Sequence, residues 1–82
     1  MEHLYISRLG DKQIIKEYRE RLKKLSDSEM IEAGESAKKT GIVGVHAQAL
    51  YLIALWYEMK DRFIDSPIVV EGDGYIIGLK DD

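Results

Sequence analysis

His3 and His46 are the only imidazoles of this chain, and with no cysteine present they bound its metal and nucleophile chemistry. Neither has a second histidine or a carboxylate three or four positions away, the spacing that places two ligands on one helix face. Met1, Glu2 and His3 together offer an amine, amides and an imidazole for square-planar Cu(II) or Ni(II), a property of any third-position histidine. No resident metal and no cofactor are therefore expected. His46, at the start of an apolar segment, is the best single candidate for a general base, although a histidine there more often serves a core or an interface. Catalysis needs a nucleophile, a base and an orienting group converging on a pocket, and the sequence assembles no such set. The chain is read as non-catalytic, with a small enzyme using His46 as an alternative.

Two phosphate- or acyl-transfer motifs are nearly spelled. Gly34 to Thr40, GESAKKT, lacks the second glycine of a phosphate-binding loop and falls inside a helical pattern instead of following a strand. Ser36 to Lys39 reads S-x-x-K without the partner motifs that this chemistry requires.

Arg19, Arg21, Lys23 and Lys24 cluster at the end of a predicted first helix, where cations complement the helix dipole and would meet an acidic protein partner. Residues 1–24 hold seven basic and four acidic side chains, against five and eleven in the remainder. The net charge of −3 and a pI near 5.3 disfavour the broad electrostatic attraction behind non-specific nucleic-acid binding. The first residues have neither the basic start nor the long apolar run of a secretory signal, and the absence of cysteine suits a reducing compartment, so a cytoplasmic location is expected. The most apolar run, Ala47 to Tyr57, is eleven residues long. About 20 are needed to cross a bilayer, so no membrane partner is expected.

Eighty-two residues make one small domain, 1–82, and the elements that must position these groups follow from periodicity. Leu4 and Ile6 alternate with polar neighbours, predicting a short N-terminal strand that ends near Leu9. Asp11 is placed as the N-cap of a first helix carrying Ile14, Ile15, Tyr18, Leu22 and Leu25 at helical spacing. Ser26 and Glu29 form a capping-box pattern that opens a short second helix with Met30, Ala33, Gly34 and Ala37 on one face. Gly41 to Gly44 reads as a turn, and residues 45–63 as a long third helix, apolar nearly all round. Val45, Ala49, Leu52, Ile53, Trp56 and Phe63 share one side of it. Pro67 opens an extended segment, and an Asp73-Gly74 turn pairs Val70 with Ile77 and Ile68 with Leu79. The expected class is α+β, three helices followed by a hairpin.

The segment VEGDGYIIGL, Val70 to Leu79, resembles the wing of winged-helix DNA-binding domains, and the helix order matches theirs. The resemblance implies a third helix entering the major groove. There it would need Arg, Lys, Asn or Gln on its leading turns, yet His46 and Gln48 stand there and Glu71 and Asp73 lie on the wing. A DNA-associated factor is accordingly an alternative only.

A helix apolar on all sides must be covered on all sides. Leu50, Ala54, Leu55 and Tyr57 leave the main stripe of the third helix, and Val69 and Ile76 leave that of the hairpin. These six residues are expected to form the interface of a homodimer, and the function expected is that of a protein-interaction or regulatory module.

Overall fold

In the computed structural model, residues 2–4, 8–42, 45–71 and 76–80 are described. They form β1 (Glu2–Leu4), α1 (Asp11–Leu22), α2 (Asp27–Thr40), α3 (His46–Asp61), β2 (Ile68–Glu71) and β3 (Ile76–Leu79). The fold is α+β: three helices, then an antiparallel hairpin, with the N-terminal strand added to it. Both pairings are antiparallel in the order β1-β3-β2. Val70 lies opposite Ile77 and Ile68 opposite Leu79, the register expected from the alternation of apolar residues. The Asp73-Gly74 turn itself lies outside the described residues.

Local sequence sets the helix ends. Gly10 precedes α1 with φ +88°, a left-handed conformation that costs glycine little. Asp11 is the first residue of α1, not its N-cap, and the Gly10 cap makes no side-chain bond. Ser26 caps α2 as the pattern requires: its hydroxyl accepts the Glu29 N–H at 3.2 Å, and the Glu29 carboxylate accepts the Ser26 N–H at 2.9 Å. Hydrogen bonding to the Glu29 carboxylate, from the Ser26 backbone N–H first and the Ser26 side chain second, lowers the pKa of its carboxyl. α2 is not short. It runs fourteen residues and stops at Gly41, whose φ of +76° with ψ near 180° is open to glycine alone.

α3 ends at Asp61, two residues before the expected limit. The Phe63 N–H donates to the Lys60 carbonyl at 3.1 Å and the Ile64 N–H to the Met59 carbonyl at 2.9 Å, the paired bonds of a Schellman turn. Phe63 occupies its left-handed position, at φ +58°. The reversal carries its ring away from the core, so Phe63 is 97% exposed instead of continuing the apolar stripe. Ile64 folds back onto the hydrophobic core, as the residue after the left-handed position of such a turn commonly does.

The core answers how α3 is covered. Met30, Leu50, Leu52, Leu55, Met59, Ile68 and Ile77 are fully buried. α1 packs most extensively on α3, which also meets α2, β2 and β3. α2 comes close because Gly34 has no side chain: a Cβ there would stand 3.1 Å from Met59 Cε and 3.2 Å from Pro67 Cδ. Arg62 then clamps the α1–α2 junction, donating to the Leu25 carbonyl at 2.8 Å and the Lys23 carbonyl at 3.2 Å. Those carbonyls follow the end of α1, where a cation also suits the dipole. No helix among the described residues is long and apolar enough to cross a membrane.

Candidate functional site

His46 is the first residue of α3 and Asp11 the first of α1, and the packing of the two helices brings their starts together. His46 Nε2 lies 3.0 and 3.1 Å from the Asp11 carboxylate oxygens. Asp11 is only 3% exposed, and it also accepts the Arg8 N–H at 2.6 Å. A carboxylate only accepts, so the ring donates from Nε2, and Asp11 fixes its orientation. An imidazole aimed by a buried carboxylate is the orienting half of a general-base arrangement. Thirty-five positions separate the two residues, so no local motif could pair them. Asp11 signals itself only as an acid at a helix start. Among the described residues no group of three His, Cys, Asp or Glu side chains is placed to hold a metal ion, and Met1 lies outside them.

A second polar cluster joins the end of α3 to α1. The Arg19 guanidinium donates from Nε to Glu58 at 2.7 Å and from Nη2 to Asp61 at 2.6 Å. It also lies 5.1 Å from the centre of the Tyr57 ring. The Glu58 side chain is 4% exposed, which makes Arg19 the neutralising partner of a buried carboxylate.

The expected partner cluster therefore divides. Arg19 is turned inward, Arg21 is exposed with its guanidinium 5.8 Å from the Tyr18 ring, and Lys23 and Lys24 are exposed. An open groove along α1 groups the cations differently, with Lys12, Lys16, Arg19 and Lys23 beside Glu20.

The expected interface divides as well. Leu50, Ala54 and Leu55 are at most 2% exposed within the single chain, so a partner cannot reach them without unfolding it. The premise that one chain cannot cover α3 is corrected: α1, α2 and the sheet together do so. Tyr57 is half-buried, edge-on to Trp56 with ring centres 4.9 Å apart. Val69 is half-buried on β2, and Ile76 lies in β3 with its side chain outside the described residues. The exposed positions of α3 are Ala47, Lys60 and Asp61. GESAKKT is helical within α2, unlike a phosphate-binding loop.

No family model, curated protein or solved structure matches the chain.

Proposed function

We propose that this chain is a small, non-catalytic interaction module of the cytoplasm that associates with a second copy of itself. Phe63 carries the reading. Its ring is 97% exposed, and its left-handed backbone costs a non-glycine residue about 1–2 kcal/mol. Both features work against the isolated chain, and exposed aromatics of this kind anchor protein contacts. Leu9 and Val45 are exposed too, at 106% and 56%. A small core with no disulfide gains from such association. Any further protein partner would be acidic and would meet the exposed Lys12 and Lys16 of α1 and Lys23 just beyond its end.

Sedimentation velocity over a dilution series tests this. A reversible monomer–dimer equilibrium in the micromolar range is expected, and one invariant monomeric species would overturn it. Adding duplex DNA at two salt concentrations separates the winged-helix alternative, whose affinity would fall steeply with salt.

The Asp11–His46 pair favours a second reading, a small enzyme with His46 as base. Turnover of an activated ester that disappears in a folded His46→Gln variant would support it. Equal background turnover in both proteins would remove it.

A further inference from the structure

We infer that β2 is a self-pairing edge, and that the second copy docks on it antiparallel, backbone to backbone across a two-fold axis through Val70. The inference deepens the self-association proposed above and rests on it. β2 is an outer strand of the β1-β3-β2 sheet. The Lys80 N–H donates to the Pro67 carbonyl at 2.8 Å, which fixes the alternation of the ladder. Pro67, Val69 and Glu71 turn their backbone groups toward β3, and Ile68 and Val70 turn theirs outward. Pro67 thus lacks its N–H on the inner side and takes no donor from the outer edge.

The outward groups are not equivalent. The Ile68 N–H is occupied by the Ser66 hydroxyl at 3.0 Å, whereas Val70 presents both N–H and C=O without a backbone partner among the described residues. A residue presenting both can exchange two hydrogen bonds with its own copy, which selects the register Val70 against Val70. An open groove runs beside this edge, lined by Trp56, Lys60, Ile64, Val69, Val70 and Lys80, so no other part of the described chain covers it.

Charge selects the direction. Lys60 flanks the start of β2 beside the Lys80–Asp65 ion pair, 2.9 Å from Nζ to Oδ1, and Glu71 is exposed at its end. Parallel copies would oppose Glu71 to Glu71, while antiparallel copies carry each Glu71 toward Lys60 of the other. A second copy therefore fits this edge in one orientation, and the groove supplies apolar area beneath it.

Residue-resolved amide hydrogen exchange, followed over a dilution series alongside sedimentation, tests the inference on the whole chain. Val70 N–H protection is expected to rise and fall in step with the dimer fraction. Val70→Pro, which removes the outward donor, is expected to weaken association at least about tenfold. Glu71→Lys is expected to weaken it in a chain that keeps its fold, and Lys60→Glu in the same chain to restore it. That pair decides the matter should Val70→Pro fail to fold. A dimer whose Val70 amide exchanges independently of concentration, or whose affinity Glu71→Lys leaves unchanged, overturns the edge pairing and leaves self-association standing. A chain that is monomeric at every concentration overturns both.

Discussion

Three of the four cations gathered near the end of α1 divide into opposite predictions once their surroundings are known. Arg19 neutralises Glu58, a side chain 4% exposed, so Arg19→Gln strands a buried charge and is expected to cost about 3 kcal/mol. Arg21 and Lys23 face solvent, and their replacement by Gln is expected to change stability by less than about 0.5 kcal/mol each. Chemical denaturation of the single variants checks both, and equal costs would contradict the assignment. Phe63 predicts a gain. Glycine relieves about 1–2 kcal/mol of left-handed strain and adds back part of it as chain entropy. Phe63→Gly should therefore stabilise the monomeric fold by about 1 kcal/mol, read as a higher thermal midpoint. A lower midpoint would mean that the ring contributes to the monomer.

Among the elements, α2 starts with a capping carboxylate whose pKa is lowered. The folded pKa of Glu29 lies below its ordinary value of 4.5 because Ser26 hydrogen bonds favour the carboxylate. The contribution is thus fully present above the unfolded value and is lost as pH falls through the folded one. Thermal midpoints measured from neutral to acid pH should show a drop in this range that Glu29→Gln lacks. Ser26→Ala should cost about 1 kcal/mol at neutral pH. This start was legible because all its parts lie within four residues. The pairing of Val70 with Ile77 was legible for a similar reason, since alternation and a two-residue turn allow only one register with the apolar face inward. The end of α3 was not, because nothing in the residues around Phe63 announces a glycine-like conformation.

At the scale of the molecule, the unread part is what lies far apart in sequence. An all-round apolar α3 announces that it needs cover but not what supplies it, and the sequence reading assigned that cover to a second chain. The fold supplies it from α1, α2 and the sheet, aided by Gly34, by the Arg62 clamp and by the third strand. The Asp11–His46 and Arg19–Glu58 pairs are likewise products of helix packing. Their residues lie 35 and 39 positions apart, beyond any local pattern. The proposed association is thereby placed at the β2 edge, where Val69 is, among the described residues, the one residue of the expected interface that lines the groove.

Leu55 separates the two accounts most directly, because it is fully buried inside one chain yet would lie between chains in a dimer built on α3. Circular dichroism and sedimentation of Leu55→Glu measure fold and mass together. Burying an unpaired carboxylate in the core exceeds what a chain of this size can tolerate, and the predicted result is loss of the cooperative fold. A folded species of 9.4 kDa with wild-type helix content would contradict it and return the interface to α3.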